Sequence, residues 1–240
     1  MFADLEHDFG EGWTAKISAN YLTADSNLKY AGAYGAIDRE TGLGSRLMGG
    51  AYKFDNAQAS VDAYVSGPVQ WFGRRHELLL GGNAQRTTTE QYTGMLTPAL
   101  NVPVNVFDWD PRSAPEPGVG PYASPGETRL KQQGIYAMGR FSLADPVTLV
   151  LGGRMSWWNQ SAPGARRRID PEFTPYGGLI VDLDKDWSLY GSYAQVFQPQ
   201  SQLTRDGKPL DPVTGTNYEA GVKGALADGA LNLSLAVFQI

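Results

Sequence analysis

The sequence predicts an all-β protein, and more specifically an incomplete antiparallel transmembrane β-barrel. Three observations predict this fold class: apolar and polar residues alternate with period two, short turns alternate with long connections, and aromatic side chains gather at strand ends. The composition agrees, because 29 of the 240 residues are glycine, 11% are aromatic and only 19% are charged. Such usage is typical of chains rich in turns and strands.

The alternation is clearest in the second half of the chain. Within residues 147–158, Val147, Leu149 and Leu151 share one face, and Thr148 lies on the other. The same pattern recurs in four further segments: 173–183, 187–197, 217–226 and 231–240. Each of these five segments is therefore predicted to be a strand with one apolar and one polar face.

The connections between these segments differ in length. Residues 144–146, 184–186 and 227–230 are short enough for hairpin turns, whereas 159–171 and 198–215 are predicted to be long loops. In outer-membrane barrels the short turns face the periplasm and the long loops face outward.

The first half fits the same scheme with longer strands. Strands are predicted over 13–34, 46–66 and 77–89, and the chain returns in 130–143 after a segment at 90–129 that carries seven prolines. A loop at 37–44 and a turn at 67–76 complete this half. The prediction is then about nine strands, and since single-chain bacterial barrels use even numbers, we expect residues 1–240 to be part of a larger barrel.

Composition also excludes several classes of protein. The sequence has no cysteine, so thiolate catalysis and disulfides are absent. No apolar run is long enough for a transmembrane helix, and the acidic start of the chain does not resemble a secretory signal. The net charge of −5 and the lack of a basic stripe argue against a nucleic-acid partner.

A soluble β-sandwich binding module would show the same alternation, with its apolar faces packed together. Aromatic residues at the strand ends argue for a membrane barrel instead, because they are typical of interfacial girdles. They are Trp71, Phe72, Phe141, Trp157, Trp158, Phe173, Trp187, Tyr190 and Phe197.

Three stretches carry a family resemblance: SGPVQWFGRRHELLLGG (66–82), YGGLIVDLDKDWSLYGSYAQVFQPQ (176–200) and the segment 210–240 with its NYEAGVKG hairpin. They resemble the barrel region of the TonB-dependent siderophore receptors, in particular receptors for hydroxamate-type and pyoverdine-like ferric chelates. The resemblance implies an outer-membrane barrel of about twenty-two strands filled by a plug domain. It also implies import of ferric siderophores, driven through the TonB complex in a Gram-negative bacterium.

The sequence departs from that family pattern in three respects. It shows no plug sequence, no short TonB-contacting box and no closing aromatic strand. We therefore expect residues 1–240 to be a partial barrel domain without the plug, and we expect TonB to be contacted through the plug. A passive outer-membrane porin is the alternative, although the three resembling stretches are not features of porins.

No enzyme, cofactor or metal site is predicted. His7 and His76 are the only histidines, and neither has a carboxylate partner at metal-ligand spacing. A ferric siderophore already holds its iron, so its receptor needs aromatic walls and hydrogen-bond donors. The residues predicted to contact the chelate are Trp109, Tyr122, Trp157, Trp158, Phe197 and Gln198. For each aromatic, the alternative is a lipid-interface anchor.

A run of three arginines, Arg166 to Arg168, falls in one of the predicted outer loops. Such a run attracts anions, either an anionic chelate or the phosphates of lipopolysaccharide, unless it is simply solvated. Outer-membrane lipid and lipopolysaccharide are accordingly predicted partners, together with the siderophore.

Overall fold

The fold was analysed in a computed structural model, which describes residues 1–114, 116–200, 204–206 and 210–240. Among these residues, strands dominate and the one helical segment is a 3-10 turn at Pro111–Ser113. The strands are β1 Phe2–Gly10, β2 Trp13–Tyr34, β3 Ser45–Trp71, β4 Arg74–Thr97, β5 Val102–Val104, β6 Gly118–Ala123, β7 Glu127–Ala144, β8 Val147–Ala162, β9 Ala165–Asp182, β10 Trp187–Gln198, β11 Val213–Leu226 and β12 Leu231–Gln239.

Ten of the strands form one continuous antiparallel wall in the order β1-β2-β3-β4-β7-β8-β9-β10-β11-β12. The two short strands lie outside this path, with β5 paired to β3 and β6 paired to β4. Between described residues, β1 and β12 each pair with one neighbour only, so the wall is open. The all-β antiparallel prediction is confirmed, and nine of the ten wall strands are those predicted.

The tenth wall strand, β1, lies in the acidic N-terminal segment that no strand was predicted to occupy. Its register runs from Phe2 opposite Asn20 to Gly10 opposite Trp13, and a tight turn at Glu11 and Gly12 joins it to β2. A signal was present in the sequence, because Asp4, Glu6 and Asp8 alternate with Ala3, Leu5 and Phe9.

The turns predicted at 67–76, 144–146, 184–186 and 227–230 all fall at one end of the wall, as predicted. One of them is the two-residue turn Phe72-Gly73 between β3 and β4, where both residues have positive φ (51° and 73°). Such a pair is the geometry of a type I′ turn, which matches the twist of the flanking strands. The predicted turn at 67–76 is thus confirmed in position, but it is only two residues long.

At the other end, one predicted long loop is wrong. The chain at 159–171 continues β8 to Ala162 and begins β9 at Ala165, so that Pro163 and Gly164 alone make the turn. The run of three arginines therefore lies in β9, next to a hairpin turn, and not in a loop. The connection at 90–129 is also partly ordered, since β4 extends to Thr97 and β5 and β6 lie within it.

The apolar face of the wall is exposed, not packed. Ile135 is 59% exposed, Leu235 72% and Val237 71%. Among the described residues, only four hydrophobic side chains are buried, and they lie far apart in the sequence: Ala51, Leu96, Val104 and Trp158. A soluble β-sandwich would bury these rows between two sheets, so that alternative is wrong.

The register shows that this apolar band runs across neighbouring strands. In β7 and β8 it extends from the pair Phe141 and Leu149 to the pair Gln133 and Trp157. Eight residues along a tilted strand correspond to a height of about 20 Å, close to the apolar band of outer-membrane barrels. Among the residues described, no helix is long and apolar enough to span a bilayer.

Candidate functional site: the polar inner face

The polar face of the wall is concave. One cavity on it is lined by residues of six neighbouring strands, from Asp4 in β1 to Arg154 in β8. The wall therefore curves around its polar face, as a barrel curves around its interior. We call this surface the inner face and the opposite apolar surface the outer face.

Hydrogen bonds between strands organise the middle of the inner face. The Tyr136 hydroxyl donates to both carboxylate oxygens of Asp62, at 2.9 and 3.0 Å. Arg154 donates to Asn83 Oδ1 at 2.8 Å and to Ser156 Oγ at 3.0 Å. These residues come from four strands, so their side chains tie the inner wall together laterally.

Further out, the same face carries a row of aromatic side chains. Tyr30 in β2 and Tyr52 in β3 stack with ring centroids 6.0 Å apart, and Phe54 follows at 6.1 Å from Tyr52. Tyr34 has the same parity in β2. Interactions of its hydroxyl with Tyr52, and then with Tyr34, raise the pKa of Tyr30, which keeps this group neutral. We call these four residues the aromatic row.

Two of the six predicted ligand residues lie on the inner face. Trp158 pairs with Gln132, whose partner Gln85 lines the inner cavity, and its side chain is only 6% exposed. Gln198 has the same parity in β10 as Tyr190, which lies on the inner face, and the Gln198 side chain is exposed. The structure does not bring these two residues together, because they lie on different strands at the outer end of the wall.

Three of the six lie on the outer face. Trp157 pairs with Gln133 in the row above the exposed Ile135. Phe197 shares the parity of Leu189 in β10, and the Tyr122 ring lies under Lys53 Nζ at 4.3 Å from its centroid. The sixth, Trp109, lies in the connection between β5 and the 3-10 turn.

The aromatic row was missed at the sequence level. Its members belong to 13–34 and 46–66, where glycine and alanine blur the alternation. A signal was present in the sequence: Tyr30, Tyr34, Tyr52 and Phe54 have even spacings within their strands. Only the register, in which Tyr30 lies opposite Gly50 beside Tyr52, places them next to one another.

The His76 side chain has a structural role and is not placed to bind a metal ion. Its side chain is buried, and the Ser142 amide donates to its Nδ1 at 3.1 Å, so Nε2 carries the proton and donates to the Trp71 carbonyl at 3.0 Å. Trp71 and Phe141 flank the ring. Within the described residues, no three histidine, aspartate or glutamate side chains are grouped closely enough to hold a metal ion.

Comparison with known proteins identifies the kind of wall. The family model described as "TonB dependent receptor-like, beta-barrel" matches residues 1–240. The ferric-pyoverdine M114 receptor PbuA of Pseudomonas sp. strain M114 is 33% identical over 258 residues, which cover 99% of this chain and 31% of that protein. The ferripyoverdine receptor of Pseudomonas aeruginosa PAO1 is 32% identical over 100% of this chain and 30% of its own length.

The solved structures agree. The pyoverdine outer membrane receptor FpvA from Pseudomonas aeruginosa PAO1, bound to pyoverdine, superposes with a TM-score of 0.87 at 31% identity over 99% of this chain and 35% of that chain. The siderophore receptor PiuA from Acinetobacter baumannii has the same fold, with a TM-score of 0.81 at 15% identity over 99% of this chain and 39% of that chain. The chain thus spans about a third of the length of these relatives.

The fold and its two faces define a membrane β-barrel wall, and the matches define which kind. The chain belongs to the TonB-dependent receptor β-barrel family. The family resemblance found in the three stretches at 66–82, 176–200 and 210–240 is thereby confirmed. Membership of this family sets aside the passive porin considered as the alternative.

Proposed function

We propose that this chain forms part of an outer-membrane receptor that imports ferric siderophores with energy from TonB. The observation that carries the proposal is the pairing of two unlike faces: an exposed apolar band for lipid, and a polar, concave inner face with an aromatic row at its outer end. Its relatives at 32–33% identity are receptors for ferric pyoverdines, which supports a chelate of that class.

The aromatic row suits a ferric chelate. Flat side chains offer a large contact area at low cost in conformational entropy, and tyrosine hydroxyls add hydrogen-bond donors. Tyr30 and Tyr52 are partly exposed to the interior and already stacked, so little ordering is needed on binding. The protein in this proposal has no enzymatic activity and no resident cofactor.

The positions of the six predicted ligand residues reduce the set that we propose to contact the chelate. Trp158 and Gln198 stay in the proposal because they lie on the inner face, and Trp109 stays because it lies in the connection between β5 and the 3-10 turn. Trp157 and Phe197 lie on the outer face, which favours the interface-anchor role weighed for each aromatic. The remaining partners proposed are the TonB complex, reached through the plug domain that the family resemblance implies, and lipopolysaccharide.

A paired substitution tests this function. In the intact receptor, Tyr30→Ala with Tyr52→Ala is expected to weaken binding of ferric pyoverdine by about tenfold or more, since each aromatic contact contributes about 1 kcal/mol. Trp157→Ala with Phe197→Ala is the matched control, because it also removes two aromatics, but from the outer face. Unchanged affinity in the first pair, or an equal loss in both pairs, would contradict the proposed site.

The choice of chelate is tested with a panel. Ferric pyoverdine, ferrichrome and ferrioxamine B are offered to the intact receptor in cells, and iron uptake is followed with and without a functional TonB complex. The proposal expects saturable uptake of at least one chelate that stops without TonB. Uptake that persists without TonB would indicate a passive pore.

A further inference from the structure

The connection between β4 and β7 lies against the outside of the wall. Its short strands β5 and β6 pair with β3 and β4. Between these two strands the chain also reaches β2, because Lys29 Nζ donates to the Pro117 carbonyl at 2.6 Å and forms an ion pair with Glu116. Since β3 lies between β2 and β4, this segment crosses β3. We call residues 101–114 and 116–123 the strap.

Two lysines hold the strap to the outer face of β2 and β3. Lys29 and Lys53 lie on this face, because residues of the other parity in their strands, such as Asn20 and Asp62, line the inner cavity. Lys53 Nζ lies 4.3 Å from the centroid of the Tyr122 ring, which is a cation–π contact. The strap is therefore bound to two neighbouring strands, by an ion pair on β2 and by an aromatic ring on β3.

The strap covers a small apolar core outside the membrane. Of the four hydrophobic side chains buried among the described residues, three lie within the strap or on strands that it contacts: Ala51, Leu96 and Val104. The apolar band ends at the row of Gln133, which reaches Val61 in β3, and Ala51 lies ten residues further out. Ala51 pairs with Gly94, which Val119 of the strap covers so closely that a Cβ on Gly94 would lie 2.6 Å from Val119 Cγ1. The strap is thus packed against the wall as a second layer.

The strap and the aromatic row lie on opposite faces of the same two strands. Lys29 precedes Tyr30 in β2, and Lys53 lies between Tyr52 and Phe54 in β3. Successive side chains of a strand point to opposite faces. Each lysine therefore holds the stretch of backbone from which a member of the row extends inward.

Further contacts lie at the outer end of the row. Tyr34 pairs with Arg46, whose Nη2 donates to the Asn101 carbonyl of the strap at 2.8 Å. Beyond them, the Val106 amide donates to the Gly42 carbonyl at 2.9 Å. The strap therefore contacts the β2–β3 hairpin next to every member of the row.

We propose that the strap positions the aromatic row for the chelate, with Lys29 and Lys53 as the positioning residues. This proposal rests on the proposed function, since it takes the row as the surface that binds the chelate. A row that is already held in place loses less conformational freedom on binding, which slows release of the ligand. The two lysines act from the outer face and do not touch the chelate.

Binding kinetics of ferric pyoverdine to the intact receptor test the proposal. Lys29→Met with Lys53→Met keeps two long unbranched side chains but removes the ion pair and the cation–π contact. Affinity is expected to fall by about tenfold, through faster dissociation, since both contacts are lost together. Amide hydrogen exchange in residues 28–34 and 46–54, measured without chelate, is expected to accelerate by about the same factor.

Two further variants separate the contact from the charge. Lys29→Glu alone is expected to weaken binding, and adding Glu116→Lys is expected to restore most of it, because the ion pair forms again with its charges exchanged. Lys131→Met with Lys185→Met removes two lysines outside the strap contacts and is the matched control, which is expected to bind like the native receptor. Heat-dependent gel mobility shows whether each variant is folded.

The outcomes distinguish the strap from the site that it positions. Native affinity in the methionine variant, with weaker binding in the pair Tyr30→Ala and Tyr52→Ala, overturns the positioning role and leaves the proposed function in place. Native affinity in the tyrosine pair contradicts the proposed function and the positioning role with it. A loss confined to the association rate, or equalled by the control, assigns the lysines to long-range attraction of the chelate and overturns the proposal, as does no recovery in the exchanged ion pair.

Discussion

The Tyr136 hydroxyl, on β7, donates to the carboxylate of Asp62, on β3, across the intervening strand β4. The bond is possible because β4 has a glycine, Gly81, beside Tyr136, and the ring lies over it. An ionised acceptor makes this hydrogen bond stronger than one between neutral groups. The inner face is therefore held by side chains as well as by its backbone ladder.

Removing the Tyr136 hydroxyl tests how much its hydrogen bond to Asp62 stabilises the wall. Tyr136→Phe is expected to lower the free energy of unfolding by about 1 kcal/mol, because the Asp62 carboxylate loses its donor. Urea unfolding of the receptor in lipid vesicles measures the change. Tyr64→Phe is the control, since Tyr64 shares the face and its hydroxyl has no hydrogen bond to the described residues. Equal effects in both variants would contradict the role of the bond.

Gly81→Ala tests the clearance beneath the Tyr136 ring. A Cβ at residue 81 would lie 2.5 Å from two ring atoms of Tyr136, so the ring must move away from Asp62. We expect a loss of about 1–3 kcal/mol in the free energy of unfolding, as for other overpacked sites. Gly191→Ala is the matched control, because nothing lies within 4 Å of its Cβ position. A neutral result at Gly81 would show that the ring does not need this space.

The loop at 35–44 contains a turn that is stabilised by the ionised carboxylate of Asp38. The Asp38 carboxylate accepts hydrogen bonds from the Thr41 amide at 2.8 Å, the Thr41 hydroxyl at 3.0 Å and the Glu40 amide at 2.9 Å. These bonds, the Thr41 amide first, hold the pKa of Asp38 below its ordinary value. A lowered pKa in the folded state means that the turn is stabilised above the unfolded pKa of about 3.9 and loses this contribution as the pH falls through the folded pKa.

NMR titration of the Asp38 side-chain carbon in the intact receptor measures this shift. The midpoint is expected below the ordinary aspartate value of about 3.9. Thr41→Val removes the hydroxyl donor but keeps the amide, so it is expected to raise the Asp38 midpoint part of the way. A midpoint at or above the ordinary aspartate value would contradict the turn geometry.

Much of the wall could be predicted from alternation alone. In β8, the period of two assigns Leu149 and Leu151 to one face and Arg154 to the other, and the register confirms both. The hairpin end at 159–171 could not be predicted, because its arginines and Pro163 have the composition of a loop. There the strands extend beyond the membrane, so the apolar side chains that reveal a strand are not needed.

The candidate site was harder to predict than the wall. Trp157 and Trp158 are adjacent, and only the register shows that Trp158 faces inward and Trp157 outward. Arg86 and Arg168 are a similar case, because they are 82 positions apart in sequence and share a row only through β7 and β8. Contacts between strands depend on register, which alternation within one strand does not determine.

The orientation of the two faces is the central claim, and a cysteine scan along β8 tests it most directly. The chain has no cysteine, so single cysteines at 149–157 can each carry a spin label, whose accessibility to oxygen in lipid and to a water-soluble nickel chelate is measured. The account predicts that labels at the odd-numbered positions, such as Leu149, Leu151 and Met155, are reached by oxygen, and that Val150 and Arg154 are protected from it. Equal accessibility at odd and even positions, or the opposite alternation, would contradict the assignment of the apolar face to lipid.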